Sequence, residues 1–198
     1  MNESSTATVA AAESIADRYV IDARTSRFIV RASATGLLAA MGHNPTVGIR
    51  DVSGEMKFSP DRLEASSFRL AVRASSLSVE DDISGKDRRE IERLMNEQVL
   101  ETAKFPEILY EAPGISVTKI AEMLYSANLN GQLTLHGVTR SQTITARVVL
   151  LGSMLRASGD FSLNQSDYGI RLISVAGGAL KLKDELKFSF EIVARRQE

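Results

Sequence analysis

His43 and His136 are the residues of this 198-residue chain whose type most invites a claim of catalysis or metal binding. His43 lies between Gly42 and Asn44 in a loop-like stretch, and His136 ends an alternating run just before Gly137. If the two turns met in space, a carboxylate beside the imidazoles would complete a zinc-type ligand set. Their separation in sequence speaks against this, because neither an HxH nor an HExxH spacing holds them on one element. No GxSxG elbow or cysteine nucleophile accompanies them, and Gly177-Gly178 reads as a turn rather than a phosphate loop. A second set, Thr139, Arg140, Ser166, Asp167 and Arg171, suits recognition better than catalysis. The guanidinium of Arg140 or Arg171 suits a quinone, phosphate or carboxylate head. Asp167 also has a structural reading, as an Asx turn or the partner of a nearby arginine.

Composition narrows the classes around these residues. The chain is 43% hydrophobic and 25% charged, an ordinary mixture for one globular domain. Its 24 basic residues stand against 25 acidic ones, so a polyphosphate backbone would find no excess positive charge and nucleic-acid binding is not expected. Without cysteine there is neither a disulfide nor a thiolate metal site. No stretch approaches the ~18 apolar residues that would span a membrane as a helix. Residues 1–17 carry no Lys or Arg, and their longest apolar stretch, Val9 to Ala12, is too short for a secretory signal. The expectation is a polar, flexible tail at 1–17, one domain at 18–198, and a cytoplasmic location unless a signal has been trimmed.

The elements that must position these groups read mostly at period 2, the signature of strands with one buried face. Phe28, Val30 and Ala32 form one such set, and Phe68, Leu70 and Val72 another. Ile108 with Tyr110, Leu129 with Leu133 and Leu135, and Ile144 with Ala146, Val148 and Leu150 continue the pattern. Leu155, Ala157, Phe161 and Leu163 come next, then Leu186, Phe188, Phe190 and Ile192. Turn chemistry separates the runs at Ser59-Pro60-Asp61, at His136-Gly137-Val138-Thr139 and at Gly152-Ser153. Many strands joined by short turns predict a sandwich or a barrel. One segment differs: Ile91, Leu94, Met95, Val99 and Ala103 recur at three- and four-residue steps, which predicts a helix over 86–103. Ser84 and Asp87 form a capping box at its start, Phe105-Pro106 ends it, and its charged face reads as simple solvation.

Five stretches together resemble a known family. VIDARTSRF at 20–28 fits a first strand of the form idxxhSxvxF, and KFPEILYE at 104–111, after MNEQVLETA, is similar to its yPxixF strand entry. GQLTLHGVTR at 131–140 resembles the family's GxLtlxGvTr signature. SDYGI at 166–170 matches its SDFGI segment, and KDELKFSFEI at 183–192 resembles its closing strand. In this order, over residues 19–193, they identify the chain as similar to the YceI-like, polyisoprenoid-binding family. Two departures are read here: GLLAAMGHNPT at 36–46 replaces a glycine-and-phenylalanine run, and residues 1–17 do not read as the export signal that many members carry.

The resemblance implies a mainly β fold, an extended eight-stranded antiparallel β-barrel, lipocalin-like, with a helix near one mouth. It also implies an amphiphilic isoprenoid, quinone-like or fatty-acid-like molecule held in an apolar tunnel, with no cofactor and no catalysis. Burying each methylene contributes about 0.8 kcal/mol, so even a short tail binds usefully. The expected walls are Phe28, Val30, Phe68, Ile108, Tyr110, Leu133, Leu135, Phe161, Leu163, Tyr168, Phe188 and Phe190, with Arg140 and Arg171 at a mouth. The same wall residues also suit a solid core, because small barrels are often filled. Two other functions therefore stay open, a histidine or metal enzyme using His43 and His136, and an interaction scaffold with a filled barrel. A homodimer is expected.

Overall fold

The structure, a computed structural model, describes residues 17–35, 44–58, 66–172, 174–175 and 180–197. The expected tail, apart from Asp17, and the expected turn residues at 59–61 and 177–178 lie outside these. Asp17 already pairs with Phe58, so the first strand opens one residue before the expected domain start.

Eight strand paths run up and down and close on themselves. The first path is β1 (Asp17–Ile21) continued by β2 (Arg27–Thr35), and the second is β3 (Thr46–Ile49) continued by β4 (Val52–Phe58). The third joins β5 (Ser67–Arg73) to β6 (Leu77–Val79), and the fourth joins β7 (Glu107–Ala112) to β8 (Ile115–Ala121). Then follow β9 (Leu124–Leu135), β10 (Val138–Leu151), β11 (Met154–Asn164) and, after the short β12 (Ser174–Val175), the long β13 (Leu180–Arg196). All their pairings are antiparallel, and β13 closes the ring by pairing with both β2 and β1. This is the closed eight-stranded barrel, with one helix, that the resemblance implied.

Alternation explains why these residues form these strands. Along β9 the residues at 125, 127, 129, 131, 133 and 135 are buried, and those between are exposed or half-buried. The outward residues form hydrogen-bonded pairs with β10: Thr134–Thr139 at 2.8 Å, Gln132–Ser141 at 3.0 Å, Asn130–Thr143 at 3.1 Å and Asn128–Thr145 at 2.9 Å. A slip of one residue would bury this polar stripe and expose the leucines, so the register is strongly fixed. The β9–β10 turn has two central residues, His136 at φ 51° and Gly137 at φ 74°. Positive φ at both is what a type I′ turn requires. Gly152-Ser153 makes the other tight turn, between Leu151 and Met154.

The barrel has two unlike ends. Where β8 meets β9 and β10 meets β11 the turns are tight, and Phe58 stands edge-on to Tyr125 at 5.5 Å beside the fully buried Leu155. Those side chains are closely packed. The opposite end carries the longer connections, including α1 (Gly85–Leu94). Ser84 caps α1 by accepting the Asp87 N–H at 3.1 Å, and its hydroxyl donates to the Asp87 carboxylate at 2.7 Å. Glu92 reaches across to accept the Val79 N–H at 2.9 Å, so the helix satisfies an edge of β6.

The helix stops short of the expected 86–103. After Leu94 it widens into a π-helical turn over Met95–Val99, and Leu100 donates its N–H to Met95, five residues back. Asn96 then gathers the chain, its amide donating to the Glu92 carbonyl and its oxygen accepting from Thr102 Oγ1. Glu101 takes a left-handed φ of 43°. The extra residue in that turn swings Leu100 into the core, while Ile91, expected on the buried face, is 39% exposed.

Gly131 sets how closely the paths pack. A Cβ there would lie 2.5 Å from Tyr110 Cζ and 2.6 Å from the Glu111 carbonyl oxygen. Gly131→Ala should therefore lower stability by about 1–3 kcal/mol, as overpacking does. Urea unfolding measures this, and a midpoint equal to the wild type would show that the Tyr110 ring does not rest on this glycine.

Candidate functional site: an apolar channel beside a parted seam

Inside the barrel the inward faces leave a cavity of about 160 Å³ lined by thirty residues. A small volume with so many walls is a thin channel, not a chamber. Its lining runs along β9 from Ala127 to Leu135. Eight steps of extended strand cover roughly 27 Å. Of the expected wall residues, Phe28, Val30, Phe68, Ile108, Tyr110, Leu133, Leu135, Phe161, Leu163, Phe188 and Phe190 all line it. Phe161 and Phe188 stack at 4.7 Å with their planes 9° apart. Met56, Phe58 and Ile115 line it too and were not expected, although Val52, Met56 and Phe58 already sit at even spacing. Leu100 also lines the channel, but only the π-helical turn brings it there.

The channel's polar atoms are turned away. Tyr110 Oη lies 3.0 Å from both the Leu129 and the Gln142 carbonyl oxygens, so its one proton is shared between wall acceptors. Burial pushes this phenol up to about 12. Ser189 alternates with the inward Phe188 and Phe190, and its hydroxyl accepts from the exposed Arg31 at 3.3 Å.

Arg140 and Tyr168 do not line the channel. They line a second, polar cavity of about 460 Å³ with Ser141, Gln142, Ser162, Leu163, Asn164, Asp167 and Glu185. Its cause is a parting of the wall. The β10–β11 ladder runs from Leu151↔Met154 to Thr145↔Asp160 and then ends, although β10 continues to Val138 and β11 to Asn164. Arg140 donates from Nε to the Asp167 carbonyl at 3.1 Å, which ties β10 to the single 3-10 turn after β11. That bond uses the main chain of Asp167, whose carboxylate instead faces Asn164 Nδ2 at 3.4 Å. Thr139 is engaged on the outer stripe, and Ser166 binds Asp184 through both its N–H and its hydroxyl. These bonds hold the Asp184 carboxyl below its usual value. Arg171 is exposed and lines neither cavity.

His136 is a strut. Its Nδ1 lies 3.3 Å from the Tyr168 carbonyl oxygen and its Nε2 3.0 Å from Glu101 Oε2. Phe105 packs on the ring at 4.5 Å between centroids, and a Cβ on Gly137 would lie 2.5 Å from Phe105. His136 thus joins the helical connection, the β9–β10 turn and the SDYGI turn. His43 lies outside the described residues, and among those no three His, Cys, Asp or Glu side chains form a group suited to a metal.

A closed antiparallel barrel around an apolar channel is a lipocalin-like binding barrel. Comparison with known proteins agrees. The chain belongs to the YceI-like family, its residues 19–194 matching the YceI-like domain. Among its relatives, a UPF0312 protein of Shewanella baltica is 29% identical over 81% of this chain and 80% of its own. A UPF0312 protein of Pseudomonas savastanoi is 25% identical over 96% of this chain and 94% of its own. The fold is shared with a polyisoprenoid binding domain from Saccharophagus degradans, at a TM-score of 0.67 and 16% identity, covering 92% of this chain and 99% of that one. Burkholderia cenocepacia BcnA gives a TM-score of 0.67 and 15% identity, over 87% and 98% of the two chains.

Lys104 first, then His136, hold the Glu101 carboxyl below its ordinary value of 4.5. A depressed carboxylate stabilises the fold fully above its unfolded value and loses that contribution as pH falls through the folded one. Glu101→Gln should therefore lower the thermal midpoint at neutral pH, and the gap to wild type should close on acidification below the ordinary value. A gap that widens in that range would contradict the strut.

Proposed function

We propose that this protein is a non-catalytic carrier for a linear amphiphile of the isoprenoid class, whose tail lies in the barrel channel. The observation that carries this reading is the channel's shape and lining, thin and almost wholly apolar. A dry apolar void of about 150 Å³ accepts a benzene-sized guest. The 160 Å³ available here therefore holds only a short piece of tail at rest. A longer tail enters by rotating wall rings, with the stacked Phe161 and Phe188 the nearest candidates. A linear branched chain suits such a space better than a rigid polycyclic one, because it threads without requiring a wide section. The relation to a family that includes a polyisoprenoid binding domain supports the same class of ligand. Nothing comparable favours an enzyme, since both nitrogens of His136 are engaged by protein oxygens.

Native mass spectrometry of gently purified protein, followed by organic extraction, should reveal a bound lipid-like molecule. Adding a polyprenol or ubiquinone analogue should raise the thermal midpoint, because a ligand that binds only the folded state stabilises it. Ala157→Phe and, on another path, Ala127→Phe put a ring into the channel, and each should abolish that rise while keeping the β-type circular dichroism. Uptake unchanged in both folded variants would place the ligand outside the channel and refute the proposal.

A further inference from the structure

The inward face of β10 changes character where its ladder with β11 ends. From Ile144 through Ala146 to Val148 it is buried and apolar, but the next inward positions are Gln142 and Arg140. Their place on the inner face follows from register, since Arg140 pairs with the inward Leu133 and Gln142 with the inward Gly131. Two polar residues would be costly on the inner face of a closed wall. Here the wall is open, and they line the polar cavity. Leu163 lines both this cavity and the apolar channel, so one side chain stands between them. Toward the other end the channel's lining reaches Phe58, which stands edge-on to Tyr125.

We infer that the parted seam between β10 and β11 holds the head group of the channel's ligand and selects an uncharged, hydrogen-bonding head over a phosphate. This rests on the carrier reading and names the class of molecule carried. Charge decides the selection. Among the described residues the seam's lining holds one cation, Arg140, against the carboxylates of Asp167 and Glu185. Arg140 already commits its Nε–H to the Asp167 carbonyl, and a diphosphate would bring further negative charge to two carboxylates. An alcohol or a quinone carbonyl meets none of that repulsion. Gln142 donates from its amide nitrogen to the Thr143 carbonyl at 3.1 Å, which leaves its amide oxygen to accept a ligand hydroxyl. The rest of the guanidinium and the Ser162 hydroxyl supply donors for a carbonyl.

The test holds the tail constant and varies the head, with farnesol, farnesylamine and farnesyl diphosphate titrated into the full chain at fixed ionic strength. Farnesol should bind at least about tenfold more tightly than the diphosphate, the size expected of two solvent-exposed carboxylates facing a multiply charged head. Asp167→Asn with Glu185→Gln should shrink that ratio about threefold or more by improving diphosphate binding. Arg140→Met should weaken farnesol and the diphosphate without reversing their order. Tighter binding of the diphosphate than of the alcohol or the amine, or a ratio unmoved in the double variant, would overturn the selection while leaving the carrier reading intact. Failure of all three ligands to bind the folded protein would overturn both.

Discussion

Barrel closure rests on one strand edge shared by two partners. β13 offers one edge to β11 along most of its course and divides the other, with residues 181–191 serving β2 and residues 194–196 serving β1. Where β1 gives way to β2 the ladder would leave Val193 unpaired. Ser26 fills that place, accepting the Val193 N–H at 3.0 Å, while Asp22 donates its own N–H to the Val193 carbonyl at 2.8 Å. A serine side chain thus stands in for a missing rung and lets the first path bend without exposing an edge. The constraint reaches the ends of the barrel domain, because Tyr19 then faces Arg196 and a salt bridge joins Asp17 to Arg196.

Given that closure, the interior follows from arithmetic. Inward residues are apolar, as the period-2 pattern demands, yet they do not fill the space. At about 24 cal/mol per Å³, a void of 160 Å³ corresponds to about 4 kcal/mol of stability forgone. Gly131 and Gly159 show that close packing was available, since at each a ring lies where a Cβ would be. The end that holds Phe58, Tyr125 and Leu155 is packed in the ordinary way. An apolar void beside such packing is not forced by the fold, and on the carrier reading it is the place of the ligand's tail.

The barrel is legible in the sequence because alternation survives any local detail. Every alternating set lies in a described strand, and the His136-Gly137 and Gly152-Ser153 turns are two-residue turns. The walls are legible for the same reason. Hidden from the sequence are the places where side chains replace main-chain partners. Nothing in the spacing of Met95 to Ala103 shows a π-helical turn, since one inserted residue leaves the apolar count unchanged and alters only which residue turns inward. Likewise Arg140 reads as a mouth residue from its type alone. Its true setting depends on where the β10–β11 ladder stops, a long-range fact that no local pattern encodes.

That stopping point ties the two cavities together. A continuous ladder from Thr145 down to Val138 would have placed Arg140 and Gln142 on the inner face of a sealed wall. There the guanidinium would need a buried partner or would force water into the channel. Parting the strands lets the guanidinium stay hydrated and bonded to Asp167, while Phe161 and Leu163 keep the channel apolar just behind it. The same gap sits beside the SDYGI turn, whose Tyr168 carbonyl is held by His136. The strut at His136 and the seam at Arg140 therefore grip the same short turn from two sides. The width of the opening is then set jointly by the helical connection, through Glu101, and by β10 itself.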